Sequence, residues 1–203
     1  MPRRGRLIVF VAPSGAGKTS VIRLVRSRHD GIGYSVSCTT RPMRPGEVDG
    51  RDYCFLDAPT FRRGIDAGRF VEWAEVHGHL YGTPREPLDA ALAEGRDVFL
   101  DLDVVGSLCL KELYRDRAVA IFLLPPSVDE LERRLLLRAT DSPEVQRLRL
   151  RNALTELTFR DRFDFQVVND DLERACREID GILGFAPQGA AEGTPQDEGP
   201  ARS

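Results

Sequence analysis

The sequence predicts an α/β protein: a parallel core sheet flanked by helices, interrupted by a small mixed or antiparallel insert and completed by a helical cover. Three observations predict it. Residues 7–11, Leu-Ile-Val-Phe-Val, run straight into a Gly/Ser/Pro loop closed by Gly17-Lys18-Thr19, and helical spacing follows at Val21, Ile22, Leu24 and Val25. Three more near-continuous apolar runs, 98–104, 118–124 and 166–168, suit central parallel strands buried on both faces. Between residues 35 and 90 the pattern changes to short alternating strands, turn residues and charges, the mark of an insert.

The loop at 12–19 carries the chemistry of the first segment. Gly15 and Gly17 let backbone N–H groups turn inward without a Cβ clash. The helix starting near Lys18 points its dipole and unpaired N–H groups at the same anion. Lys18 is placed to neutralise β and γ phosphates, and Thr19 to offer its hydroxyl to Mg²⁺. The spacing fits G-x-x-x-x-G-K-[ST], with Ala12 in its first place. The alternative is an ordinary strand–turn–helix with a surface lysine. Composition bears on that choice: of 29 Lys plus Arg, the lysines are Lys18 and Lys111 alone. Arginine, a planar fork, substitutes poorly for a compact ammonium under a phosphate chain.

The remaining elements follow in order. The first helix runs to about residue 27. Residues 32–38 alternate and predict one half-buried strand, with Ile32, Tyr34, Val36 and Cys38 on one side and Ser35 and Ser37 on the other. Residues 39–52 lack a hydrophobic period and hold turn makers, hence a loop. A short strand is expected at 53–55, a helix at 58–67 ended by Gly68, and a strand at 70–76. A hairpin at His77-Gly78-His79 returns through 80–82. A helix over 84–93 has Pro84 in its first turn and Gly95 beyond its end. Past the strand at 98–104, helices are expected at 107–113, 128–137, 144–158 and 172–183. From 186 to 203 the composition turns to Gly, Pro, Gln, Ala, Asp and Glu, and a disordered tail is expected.

Charge and composition exclude several classes. Hydrophobic content of 41% and charge of 30% describe a soluble globular chain. A net charge of −3 argues against a general nucleic-acid binder. No apolar run reaches membrane-span length, so no membrane partner is expected. Cys38, Cys54, Cys109 and Cys176 are scattered without a C-x-x-C, which points to small buried thiols in a reducing cytoplasm.

Four further groups carry candidate chemistry. Arg41 and Arg44 lie three apart on a Pro/Gly-stiffened turn, where two forks can grip one phosphate, with Tyr53 and Tyr81 as added phenolic donors. The alternative is a solvated charged loop. Glu72 interrupts the apolar strand 70–76. Facing inward, it can accept from a guanine N1–H and N2–H₂ edge, which adenine lacks, with Ser37 and Thr83 completing the base edge; facing outward, it is a wet-face residue. Asp101 and Asp103 end a buried strand, where open α/β sheets place ligands, and period two puts both carboxylates on one side. Arg134, Arg138 and Arg149 sit on a helix–turn–helix stretch hinged at 139–143. A cationic cover of this kind suits phosphoryl transfer, although an exposed Arg-rich helix is also common.

Together these segments resemble guanylate kinase. The resemblance is carried by 12–19, by Ser35-Val36-Ser37-Cys38-Thr39-Thr40-Arg41-Pro42-Met43-Arg44-Pro45-Gly46-Glu47-Val48-Asp49-Gly50, and by Asp52-Tyr53. It continues through Glu72-Trp73-Ala74-Glu75-Val76-His77-Gly78, Tyr81-Gly82-Thr83-Pro84-Arg85-Glu86, Asp101-Leu102-Asp103, Leu124-Pro125-Pro126-Ser127, Thr140-Asp141-Ser142 and Val168-Asn169-Asp170-Asp171. It implies a P-loop nucleoside monophosphate kinase fold. The core would be 1–34, 91–125 and 151–185, the GMP-binding insert 35–90 and the lid 126–150. The implied reaction moves the γ-phosphoryl group of ATP to GMP with Mg²⁺, giving ADP and GDP, in purine nucleotide metabolism and GMP recycling.

By the same resemblance, the catalytic set is Lys18, Arg41, Arg134, Arg138 and Arg149. ATP is held by Ala12, Pro13, Ser14, Gly15, Ala16, Gly17, Lys18, Thr19, Ser20, Arg134, Arg138 and Asn169, the last beside the adenine. GMP, with dGMP a further candidate acceptor, is held by Ser37, Arg41, Arg44, Glu47, Tyr53, Glu72, Tyr81, Thr83, Asp101, Asp103 and Arg149. Thr19 is the protein's ligand to Mg²⁺. Val105, Leu136 and Ala139 depart from the family's usual residues and leave the phosphate ligands intact. Three rivals predict other signatures. A non-catalytic guanylate-kinase-like interaction domain predicts an eroded P-loop, and a GTPase switch predicts an Asn-Lys-x-Asp motif. A kinase for another phosphorylated acceptor predicts loss of the Arg41–Gly50 block or Glu72.

Overall fold

The computed structural model describes residues 4–76, 78–137 and 143–185. In chain order the elements are β1 (Leu7–Val11), α1 (Lys18–Arg28), β2 (Gly33–Tyr34), β3 (Cys38–Thr39), β4 (Cys54–Phe55), α2 (Ala58–Asp66), β5 (Phe70–Val76) and β6 (His79–Pro84). They continue with α3 (Arg85–Ala93), β7 (Val98–Asp101), α4 (Val104–Tyr114), β8 (Ala118–Leu124), α5 (Val128–Leu136), α6 (Pro143–Leu157), β9 (Phe165–Val168) and α7 (Leu172–Leu183).

Among the described residues the strands form two sheets. The core sheet has five strands in the order β2-β7-β1-β8-β9, and every pair in it is parallel. The second sheet, β4-β3-β6-β5, is mixed: β3 pairs with β4 in parallel, whereas β6 runs antiparallel to both β3 and β5.

The centre of the core explains its sequence. All five residues of β1 are fully buried. Leu7, Val9 and Val11 pack with Leu88 and Leu92 of α3 and Leu110 of α4. Ile8 and Phe10 pack on the opposite face with Val21, Ile22 and Val25 of α1 and Ala175, Cys176 and Ile179 of α7. Two-sided burial is why the run shows no polar alternation. At about 2 kcal/mol per buried side chain, β1 contributes on the order of 10 kcal/mol, which chain entropy then largely offsets. The Arg6 guanidinium clasps Asp97 just before β7, with Nη2 to Oδ2 at 2.7 Å, and also donates to the Leu183 carbonyl at the end of α7 at 3.0 Å.

The structure corrects three expectations. The run 32–38 is not one strand. The Ser35 N–H donates to Phe99 at 2.9 Å and so still belongs to the core ladder, while the Ser37 carbonyl already accepts from Cys54 at 2.9 Å in the second sheet. The chain changes sheet between them, and β2 and β3 are separate. The expected strand 98–104 stops at Asp101, because Asp103 turns to cap α4: its side chain accepts the Gly106 N–H at 2.7 Å. The helix therefore begins at Val104 rather than 107. Among the thiols, Cys38 and Cys176 are buried and Cys54 is half-buried, but Cys109 is exposed, its Sγ reaching the Val71 carbonyl at 3.7 Å. Among the described residues, no helix is long and apolar enough to cross a membrane. The hairpin tip at His77, the hinge residues 139–142 and the tail at 186–203 lie outside the described residues.

Candidate active site

β1 delivers the chain into the loop at 12–17, where Gly15 and Gly17 take φ values of 93° and 89°, the left-handed region open to glycine. The Ala16 N–H closes the turn on the Pro13 carbonyl at 3.1 Å. Gly17 caps α1 with no side chain to take the first-turn N–H groups, which leaves them for an anion. The loop is also packed from two sides. A Cβ on Gly15 would lie 3.2 Å from Leu131 of α5, and one on Gly17 would collide with Asn169 Nδ2. Asn169, the first residue past β9, donates that Nδ2–H to the Ala16 carbonyl at 2.7 Å, and its own carbonyl accepts from Arg134 Nη2 at 3.5 Å. Its amide thus braces the loop. A cleft of about 530 Å³ opens above, with Ser14, Lys18, Thr19, Asp103, Arg134 and Glu156 among its lining.

The carboxyl end of β7 sits at the middle of the site. Lys18 Nζ lies 2.5 Å from Asp101 Oδ1 and donates to the Leu102 carbonyl at 2.9 Å. The two acids do not share one side of a strand, as the alternation implied: Asp101 ends β7 and Asp103 caps α4. They nevertheless reach different neighbours across the cleft. The charge of Asp101 acts on Tyr53, and that of Asp103 on both Glu72 and Glu156.

The insert brings its polar groups toward this strand end. Arg41 Nη2 donates to Glu47 Oε1 at 2.7 Å, and the guanidinium carbon stands 5.4 Å from the Tyr53 ring centroid. Glu47 Oε2 accepts the Arg44 backbone N–H at 2.7 Å. Glu47, expected among the acceptor ligands, is engaged in bracing the loop that carries both arginines. The Arg41 guanidinium, followed by the Arg44 N–H, holds its carboxyl below the ordinary value. Tyr53 and Tyr81 meet edge to face at 6.0 Å; burial, with Asp101 adding, pushes the Tyr53 phenol up, so it stays a protonated donor. Glu72 faces inward. It pairs with Thr83 across β5 and β6, and Thr83 Oγ1, itself fully buried, donates to Glu72 Oε1. Burial lifts the Glu72 carboxyl above its ordinary value against that hydrogen bond, and the Asp103 charge adds to the rise. Ser37 stands half-buried where the chain enters this sheet.

The cover comes from α5 and α6, which pack through Leu131, Leu135, Leu150, Ala153 and Leu157. Arg134 Nε is held by Glu130 Oε1 at 2.8 Å, and Glu130 also takes Arg133 at 2.6 Å. Those guanidinium groups, Arg133 first, hold the Glu130 carboxyl down to about 2. Arg149 is half-buried on α6, and Arg138 lies outside the described residues. Sequence reasoning passes over two residues here. Glu130 has a signal, its i, i+4 spacing to Arg134. Glu156 follows Arg149 by seven residues, two helical turns on one face. Its carboxyl is raised by burial, while Lys18 and the Ser14 backbone N–H favour its charge and Asp103 opposes it.

A parallel sheet with a glycine-turned phosphate loop at the end of its central strand, a lysine at the first turn of the next helix and an arginine-bearing cover define a P-loop kinase. Comparison with known proteins narrows the class. The guanylate kinase family model matches residues 4–185. The guanylate kinase of Nitrobacter winogradskyi is 50% identical over 181 residues, spanning 89% of this chain and 83% of that protein. That of Thermotoga maritima is 47% identical over 180 residues, spanning 89% and 86%. The crystal structure of guanylate kinase from Anaplasma phagocytophilum superposes with a TM-score of 0.71 at 33% identity, covering 89% of this chain and 85% of that one. The chain belongs to the guanylate kinase family.

Proposed function

We propose that the protein transfers the γ-phosphoryl group of ATP to GMP, giving ADP and GDP, in keeping with relatives named guanylate kinase. What carries this assignment is the end of β7. Asp101 touches Lys18 of the phosphate loop, Asp103 lines the same cleft and caps the turn at Gly106, and Glu72 of the insert stands against that turn, so groups for a donor and for an acceptor converge on one strand end. Ligands of open α/β sheets bind at such a crevice.

In this proposal the loop 12–20 with Arg134, Arg138 and Asn169 holds ATP. Arg41, Arg44, Tyr53 and Tyr81 grip the GMP phosphate, and Ser37, Glu72, Thr83 and Asp103 read the guanine. Glu47 acts through Arg41. The insert 35–90 thus serves the acceptor, and the segment 126–150 closes over the donor, carried by α6, which continues unbroken to Leu157. Lys18 exchanges Asp101 for the β and γ phosphates as ATP arrives, while Arg134, Arg138 and Arg149 approach the transferring group. The acceptor phosphate oxygen is anionic at neutral pH, so no strong base is needed, and rate comes from alignment and charge stabilisation.

The donor set also suits Mg²⁺. Thr19 is exposed at the cleft, and Asp103 and Glu156 bring hard oxygens to the same space. Among the described residues no three His, Cys, Asp or Glu side chains are grouped to hold a metal, so phosphate and water would complete the shell around Thr19. When bound, the ion neutralises charge between the phosphates. The free thiols fit a reducing cytoplasm. A coupled ADP-release assay with GMP, dGMP, AMP and no acceptor tests the assignment: release should depend on a guanine nucleotide, and equal rates with AMP would overturn it.

A further inference from the structure

We infer that Gly106 is a specificity-determining position, its bare Cα leaving the space in which the Glu72 carboxylate stands, an inference that rests on the proposed role of Glu72 at the guanine edge. Gly106 lies in the first turn of α4 and is buried. Its backbone is not in the left-handed region that glycine uniquely tolerates, so the turn itself does not require it. Glycine is a poorer helix former than alanine. Something other than helix formation favours it.

That something is the approach of two acids. A Cβ on Gly106 would lie 3.0 Å from Glu72 Oε2, 3.2 Å from Glu72 Cδ and 3.3 Å from Asp103 Oδ1. Asp103 is fixed there as the cap of α4, taking the Gly106 N–H. Glu72 is fixed from its other side, because Oε1 accepts from the buried Thr83 hydroxyl. One turn further along the same helix face, Cys109 Sγ meets the Val71 carbonyl, so β5 and α4 are held close at two successive points. The positive end of α4 offsets the repulsion between the two carboxylates. A methyl group at 106 presses first on Glu72 Oε2, the oxygen not engaged by Thr83 and so the freer of the two to accept from a guanine. Gly181, within α7, provides the contrast: a Cβ there meets nothing within 4 Å.

The test compares Gly106→Ala, Gly181→Ala and Glu72→Gln by KM for GMP, kcat, the GMP-over-AMP ratio of kcat/KM, and thermal midpoint. Gly106→Ala should raise KM for GMP about tenfold and lower the GMP preference by a similar factor, with kcat changed about twofold or less and the midpoint unchanged or higher, since about one charge-assisted hydrogen bond is misplaced. Gly181→Ala should move the midpoint alone. If Glu72→Gln collapses the preference but Gly106→Ala leaves KM and preference intact, Gly106 has no such role and the base reading stands. If Glu72→Gln changes nothing, the base reading falls, and this inference with it. Should Gly106→Ala lower the midpoint, the double variant with Glu72→Ala decides: recovery identifies the carboxylate as what the methyl meets, and no recovery overturns the inference.

Discussion

Replacing Lys18 with alanine separates its two roles by size. Lys18 is held by Asp101 and the Leu102 carbonyl, and the Lys18 and Asp101 side chains are 19% and 31% exposed. An ion pair that wet is worth about 1 kcal/mol or less, so the thermal midpoint should fall by roughly 2–4 °C at most. Against a phosphate chain the same ammonium, about 4 Å from a unit charge at an effective dielectric of about 20, contributes ~4 kcal/mol. If most of that is realised in the transition state, kcat falls by roughly three powers of ten. Lys18→Arg should recover little, because a planar fork cannot take the place of a compact ammonium between Asp101 and the loop. Coupled ADP release at saturating ATP and GMP, with a melting curve on the same sample, reads both numbers. A Lys18→Ala variant within tenfold of normal turnover would refute the assigned role.

Other outcomes follow from the same geometry. Glu47→Ala removes the brace on Arg41 and should raise KM for GMP several-fold with kcat nearly kept; an unchanged KM would show that Arg41 is positioned without it. Because burial raises the Glu72 carboxyl, its contribution to stability is full below the unfolded carboxylate pKa and is lost as pH rises through the folded value. Glu72→Gln should therefore gain in thermal midpoint over the parent chain from acid to neutral pH, and a difference constant with pH would contradict that assignment. Asp97→Ala takes from Arg6 a partner whose side chain is 3% exposed and leaves it the Leu183 carbonyl at 3.0 Å; the cost should be about 2 kcal/mol, seen as a midpoint roughly 4–8 °C lower, and a shift under a degree would count against it.

How much of this is legible in the chain depends on whether the cause is local. The strands at Phe70–Val76 and Ala118–Leu124 and the helix Leu172–Leu183 begin and end where their own apolar periods do. The phosphate loop is equally readable, because its glycines, lysine and helix start are contiguous. Where the cause lies elsewhere, local pattern fails. Nothing in residues 32–38 says that Phe99 ends one ladder and Cys54 begins another. Asp103 looks like a strand residue until the Gly106 N–H is seen to claim it. Whether Glu72 faces in or out is undecidable from alternation and is settled by Thr83, eleven residues away and directly opposite. Glu156 belongs to the phosphate cleft only because α6 folds back over the loop.

Arginine dominance leaves the molecule with two ε-amines, at Lys18 and Lys111, the second paired with Asp164 on the far side of the sheet. Reductive methylation with isotope-enriched formaldehyde preserves charge and would place two side-chain signals in an otherwise silent spectrum, apart from the α-amino group. Under the proposed function, the Lys18 signal should shift when ATP is added, and the Lys111 signal serves as its internal standard.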